Sequence, residues 1–347
     1  MVRMGEGRPD ADIMIVGEAW GETEERSGIP FSGASGQELN RMLQEAGILR
    51  NECYVTNVIN ARPPRNDITA WIPEDKKSIT GRMVQRQGKF VDPIVAEGLE
   101  MLGKEIALVK PRVIVALGGT ALWALTGNES IVKWRGSLLP LGSGGNDDPT
   151  VIPTYHPAAV LRMWDWRAVA VLDLKRACKE LRHGPTPVPA WSFILRPSFS
   201  MVIETLEKLY RRVVEEPTWI DLDLETKAGH ISCCGLSWSK TEAICIPFMI
   251  PEDREGYWLL EEEAQILLTL YRLLTHLNCW VRGQNLLYDA QYTYRRWGFI
   301  PNVKQDTMIS QHVLWAGLPK SLAFQASMYA EWYQNWKPDR ETWKEGG

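Results

Sequence analysis

Between Ile13 and Gly33 the chain reads IMIVGEAWGETEERSGIPFSG. An apolar run breaks at Gly17-Glu18 and passes Glu22, Glu24 and Glu25 before reaching Pro30-Phe31-Ser32-Gly33. A glycine-rich turn after a strand commonly cradles phosphate with its backbone N–H groups. Four carboxylates would repel that ligand, and acidic pockets suit water or metal instead. A second group with chemical potential is His156, which precedes Pro157 in a strand-to-helix loop. A third lies in TWIDLDLE, where Asp223 and Glu225 stand two apart. On a strand that spacing puts both carboxylates on one face.

The elements that must position these groups follow from periodicity. In the first half, apolar runs at Asp12–Val16, Cys53–Asn57, Arg112–Leu117 and Val151–Thr154 read as strands. They alternate with helical patterns at Ser35–Ala46, Asp92–Leu108, Thr120–Thr126 and Asp165–Arg182. Such alternation implies a three-layer α/β domain with a parallel sheet, and ligands of such sheets sit beyond the carboxyl ends of the strands. Four polar loops leave those ends (GEAWGETEE, NVINARPPRND, GGTA and YHPAAVLR) and should meet in one crevice. The proline-rich stretch 183–190 reads as a semi-rigid linker between a domain at 1–182 and a second at 191–347. That second part begins with a helix and continues as three meandering strands. Helix (Glu261–Leu277), strand (Asn278–Arg282) and more helix follow, an α/β order of ribonuclease H type.

Composition narrows the class. At 347 residues, 45% hydrophobic and 24% charged, the chain reads as globular with two domains. It contains no apolar stretch of the roughly 18 residues that a membrane helix needs, which predicts no membrane partner. Six cysteines without a CxxC pair predict thiols in a reducing, cytoplasmic compartment (host cytoplasm if the source is viral). Residues 1–50 are net −4, residues 51–190 net +4 and the remainder net −4, so a basic middle could face nucleic-acid phosphates.

The four loops, in order and spacing, resemble the uracil-DNA glycosylase superfamily over most of residues 10–182. The segments that carry the resemblance are GEAWG with GIPFSGASGQELNRML, VTNVINARPPRN, PRVIVALGGTA and PTYHPAAVLR. The resemblance implies excision of uracil from DNA after the base is flipped from the stack. It assigns Phe31 to stack on the base and Asn57 to read its Watson–Crick edge. His156 would donate to the departing base, and Glu18, or Glu24 as second choice, would position water beside the sugar. Arg62, Arg65 and Arg162, with Lys133 and Arg135, would contact DNA phosphates. Each residue has a plainer reading as well: a core Phe, a turn-capping Asn, a structural His, solvated arginines. The motif has Trp20 where relatives usually have Pro. The iron–sulfur branch uses an N-terminal CxxC and a Cys before Arg-Pro-Pro; here Ala61 precedes Arg62-Pro63-Pro64, so no iron–sulfur cluster and no other cofactor is expected in this domain.

From about residue 217 the segments IDLDLETKAGHISCCGLSW, RGQNLLYDAQYTYRRWG and VKQDTMISQHVLWAGLPKSLAFQASMY resemble the 3′–5′ proofreading exonuclease domain of family A DNA polymerases. The resemblance implies Mg²⁺ or Mn²⁺ on Asp223, Glu225 and Asp289, with Asp306 capping a helix instead. The family completes its site with a late Tyr-x-x-x-Asp. Tyr329 and Tyr333 are followed four residues on by Tyr333 and Lys337, so the site is expected to be incomplete and the exonuclease domain truncated. The implied setting is that of viral replication proteins, with uracil-containing DNA and a polymerase module or subunit as partners. Two further readings stand beside it: a uracil-sensing module that does not excise, and a 3′–5′ exonuclease with a degenerate first domain.

Overall fold

The computed structural model describes residues 4–336 apart from 143–144, 146–147 and 251–255. The chain divides into two compact units, one made of 1–187 together with the segment from Ala323 onward, the other of Val188–Leu322.

The first unit is built on a six-stranded sheet in the order Glu6–Gly7, Cys53–Ile59, Ile13–Ala19, Val113–Leu117, Thr150–Thr154, Leu139–Pro140. The four inner strands are parallel and the two short outer ones antiparallel. Every residue of Cys53–Ile59 and of Val113–Leu117 is buried, as a sheet covered on both faces requires. Met14, Val16, Tyr54, Ile114 and Val151 pack with residues of the helices Pro93–Val109 and Gly119–Thr126. The helices Ala34–Ala46 and Trp166–His183 present their own buried stripes, among them Leu39, Met42, Leu43, Val171 and Leu174. Local signals set these boundaries: Asp92 caps Pro93–Val109 by accepting the Ile94 N–H, and Gly47 ends Ala34–Ala46 at φ +78°.

The second unit has a six-stranded sheet in the order Val303–Asp306, Cys279–Gly283, Thr218–Lys227, His230–Ser237, Glu242–Pro247, Ser192–Ile194. The three strands from Thr218 to Pro247 form an antiparallel meander; Cys279–Gly283 and Val303–Asp306 add in parallel beyond its first strand. This is the ribonuclease H-like order, extended by Ser192–Ile194 at the far edge. The helices Phe199–Glu215 and Leu260–Leu274 bury Val202, Leu206, Ile266 and Leu270 with Ile220, Leu222 and Leu224 of the first strand. Alternation along that strand leaves Asp223 and Glu225 exposed.

The sequence reading gave all of 191–347 to the second domain. The structure differs: the helix Leu322–Tyr329 from Ala323 on, with residues 330–336, packs in the first unit. The reason is a buried charge. Arg135, 1% exposed, pairs through Nε and Nη2 with Asp173 and donates from Nη1 to Ser327 Oγ at 2.5 Å. Phe324 lies under the guanidinium at 5.6 Å, Leu138 N donates to Tyr333 O, and Arg176 donates to Ala330 O. Without Ser327 and Phe324 one side of a buried guanidinium would lose its partners. Among the described residues no helix is long and apolar enough to cross a membrane.

Candidate functional site

The carboxyl ends of the four parallel strands meet, as their loops suggest, around one cavity of about 480 Å³ in the first unit. Glu18, Trp20 and Glu24 line it from the first loop, Asn57 from the second, Gly118 and Gly119 from the third, and Tyr155, His156 and Arg162 from the fourth. Phe31 completes the wall, 94% buried and at φ +53°, a left-handed conformation that costs a non-glycine residue energy. The chain around it is cut to admit this pose. A Cβ at Gly36 would fall 1.6 Å from the Phe31 carbonyl oxygen. One at Gly17 would fall 2.4 Å from the ring and 2.3 Å from Asn57 Oδ1. Phe31 and the edge of Asn57 therefore stand together at the cavity floor, with the His156 ring 5.7 Å from the Phe31 ring.

His156 is the N-cap of the helix Pro157–Arg162, and its Nδ1 accepts the Ala158 N–H at 3.2 Å. A neutral imidazole carries one proton, so with Nδ1 accepting, the proton sits on Nε2. Burial, helped by the nearby Arg162 and opposed by Glu24, lowers the imidazole from 6.5 to about 4. It is therefore a neutral donor across ordinary pH.

The two acids divide into different jobs. Glu18 is half-buried at the strand end, and its Oε2 accepts from Thr120 at 2.5 Å. Glu24 is buried and its Oε1 accepts the Gly33 N–H at 2.9 Å, tying the helix Glu22–Ser27 to the turn that carries Phe31. Both carboxylates line the cavity, and Glu24 also braces its wall.

Arg65 and Arg162 are exposed, Arg162 on the cavity wall. Arg62 pairs with Glu25 at 3.2 Å and Glu22 at 3.9 Å. Arg135, named with them on sequence, is corrected: it is fully buried against Asp173 and contacts no solvent-borne phosphate. Four features were missed: Thr120, Asn60, the indole role of Trp20, and the exposed apolar trio Leu161, Met163 and Trp164 beside Arg162. The last has a legible signal, an apolar cluster after Pro157 that no helical core position demands, and Trp20 shows in the sequence only as a departure.

An iron–sulfur cluster does not fit the first unit. Its two cysteines, Cys53 and Cys178, are buried, and each thiol donates to a carbonyl, of Leu49 and of Gly47. Burial pushes the Cys53 thiol up to about 12, whereas cluster ligands are thiolates and a cluster takes four.

In the second unit the three expected metal ligands do not form an ion-holding group among the described residues, although, besides burial, the charge of Asp223 lies near enough to help raise the Asp289 carboxyl. Asp223 and Glu225 share the exposed sheet face, but Asp289 is 97% buried and its Oδ1 accepts the Leu224 N–H at 2.8 Å. The parallel neighbour Cys279–Gly283 pairs only with Thr218–Asp221, so the strand edge beyond is bare and Asp289 caps it. Burial raises its carboxyl to about 6. Among the described residues no three His, Cys, Asp or Glu side chains group to hold an ion. Asp306 acts as a cap: its carboxylate accepts from the N–H groups of Asn285, Leu286 and Met308.

Solved structures with likeness to the chain include the catalytic core of RRP6 from Trypanosoma brucei (16% identity, TM-score 0.30, 42% of this chain and 37% of that one). Another is Escherichia coli RNase D, an exoribonuclease (14%, TM-score 0.27, 40% and 33%). The chain spans only about a third of the length of these two. Curated relatives include type-4 uracil-DNA glycosylases of Thermotoga maritima, 36% identical over 180 residues (51% of this chain, 81% of the relative), and of Sulfurisphaera tokodaii, 33% over 193 residues (52% and 74%). The match to the family described as "Uracil DNA glycosylase superfamily" covers residues 4–179, the stretch that supplies the sheet, the four loops and the cavity, so the chain belongs to that superfamily.

Proposed function

We propose that the first unit excises uracil from DNA by hydrolysing its N-glycosidic bond. The observation that carries this reading is the neutral His156, proton on Nε2, beside Phe31 and Asn57 in one cavity. A base turned out of the stack lies against Phe31, whose face offers stacking worth about 1–3 kcal/mol. Asn57 meets the base edge. As the C1′–N1 bond breaks, electrons pass to the base, and the Nε2–H donates to the oxygen on which negative charge grows. A donor of this kind contributes about 3 kcal/mol. Glu18, held by Thr120, orients the water whose oxygen bonds C1′ and takes the proton that water gives up. Its charge also faces the cationic sugar. On this reading Arg62, Arg65 and Arg162 would take DNA phosphates, Arg162 from the cavity wall. Leu161, Met163 and Trp164 offer an apolar wedge for the gap the flipped base leaves.

The test is a 5′-labelled oligonucleotide with one uracil, treated with alkali after incubation. Cleavage at that position in EDTA is expected, with His156→Ala slower by about a hundredfold. Intact DNA from wild type, or an unchanged rate in the variant, overturns the reading. Binding to the uracil strand without cleavage points to a sensing module. Among the described residues of the second unit no three carboxylates group to hold an ion, so nothing there favours a catalytic role over this one.

A further inference from the structure

An amide side chain has nearly the same shape with its oxygen and nitrogen exchanged, so an asparagine that reads a base must be held in one sense by something else. The sense matters chemically. At positions 3 and 4 uracil presents an N–H donor and then a carbonyl acceptor. Cytosine presents an acceptor nitrogen and then an amino donor, the reverse pattern. Asn57 Oδ1 with Nδ2 matches the first; the exchanged amide matches the second.

The structure contains a directional chain that makes the choice. Trp20 places its indole Nε1 at 3.1 Å from Asn60 Oδ1. An indole N–H only donates, so the Asn60 atom facing it is the oxygen. At the other end Asn60 Nδ2 donates to Thr56 Oγ1 at 2.9 Å, and the Thr56 hydroxyl donates to Glu105 Oε2 at 2.8 Å. Glu105 is fully buried and its Oε1 takes the Gly5 N–H and the Tyr54 hydroxyl, so it acts as acceptor throughout. Both ends of Asn60 are thereby fixed. Its oxygen, already turned toward Trp20, also faces Asn57 at 3.2 Å, and only a donor fits there, namely Asn57 Nδ2. The other atom of that amide, Oδ1, then lies at the cavity floor next to Gly17 and Phe31.

We propose that Trp20, acting through Asn60, sets the amide sense of Asn57 so that the cavity takes uracil and refuses cytosine. Trp20 and Asn60 are positioning residues, and the inference rests on the uracil-excision reading above. Exchanging the Asn57 amide would set two acceptor oxygens, its own Oδ1 and that of Asn60, against each other and lose one hydrogen bond. Removing the anchor takes that cost away.

The experiment compares single-turnover release from two oligonucleotides that differ only in carrying uracil or cytosine at one position. Wild type, Trp20→Phe and Asn60→Leu are measured, each checked for folding by thermal melt. Trp20→Phe keeps the ring and drops the N–H; the uracil-to-cytosine rate ratio is expected to fall at least about tenfold, as one lost orienting hydrogen bond allows. Asn60→Leu should lower it further. A ratio unchanged in both variants, whether the two rates hold or fall together, assigns these residues to packing and overturns the proposal. Wild type that releases no uracil removes the reading beneath it, and the proposal falls with it. Should neither variant fold, competition on wild type decides. Added uracil base should inhibit release and added cytosine should not; equal inhibition overturns the proposal.

Discussion

Lowering the pH interrogates the proton on His156 directly. Burial first, then Arg162, takes the imidazole from 6.5 to about 4, with Glu24 opposing. An imidazole at its ordinary value would be only about one-tenth neutral at pH 5.5, and the neutral donor would vanish with it. At about 4 the same group is still roughly 97% neutral at pH 5.5. Single-turnover uracil release measured from pH 8 to 5.5 is therefore expected to show no loss attributable to this residue. A tenfold fall with a midpoint near 6.5 would refute both the depressed imidazole and the tautomer drawn from it. The same shift has a stability consequence of definite sign. The folded-state value lies below the unfolded one, so between about 6.5 and 4 the unfolded chain binds the proton and the folded chain does not. Stability of the first unit is full above 6.5 and declines as pH falls through that window, by roughly 3 kcal/mol at the limit. His156→Ala should remove this portion of the pH dependence, read as denaturant midpoint against pH.

Asp173→Asn leaves the Arg135 guanidinium buried opposite a neutral group. The first unit should lose about 3–5 kcal/mol while the second melts unchanged, seen as one displaced transition in calorimetry. Gly17→Ala drives a methyl into Asn57 Oδ1 and the Phe31 ring and is expected to abolish uracil release, whereas normal release would mean that the floor of the cavity yields. Glu18→Gln should slow release by about a hundredfold at near-native stability. Glu24→Gln should act mainly on stability, by about 1–2 kcal/mol through the weakened tie to Gly33, so the reverse pattern would exchange the two roles. With Mn²⁺ and 3′-labelled single-stranded DNA the chain should leave the ends intact. Robust shortening abolished by Asp223→Ala would show that metal draws Asp223, Glu225 and Asp289 together.

What could be read from sequence, and what could not, follows from the range of the physics involved. The four inner strands and four long helices of the first unit announce themselves through apolar periodicity and caps. Periodicity is local, so Ala34–Ala46 and Pro93–Val109 fall within a residue of their expected bounds. The convergence of Glu18, Phe31, Asn57 and His156 was legible too, because parallel-sheet topology sends every strand-end loop to one edge. Three things depend on pairings far apart in sequence and left no local trace. Arg135 read as a surface cation among other arginines; its burial depends on Asp173 and on Ser327, 192 residues away. Asp289 is offered as a metal ligand by the resemblance to exonucleases; in the fold its Oδ1 accepts a backbone N–H left open where the neighbouring strand parts from its partner. Trp20 was noticed as a departure but not understood, since its meaning lies in Asn60, 40 positions on, and in the one-way chemistry of an indole N–H. Each case turns on the same asymmetry. A buried polar group must find a partner somewhere, and the cost of leaving it without one fixes where distant segments go. The sequence states that the group exists; only the fold states who answers it. The residues of the catalytic reading come from the first kind of information, while the tautomer of His156 and the base selectivity inferred for Asn57 come from the second.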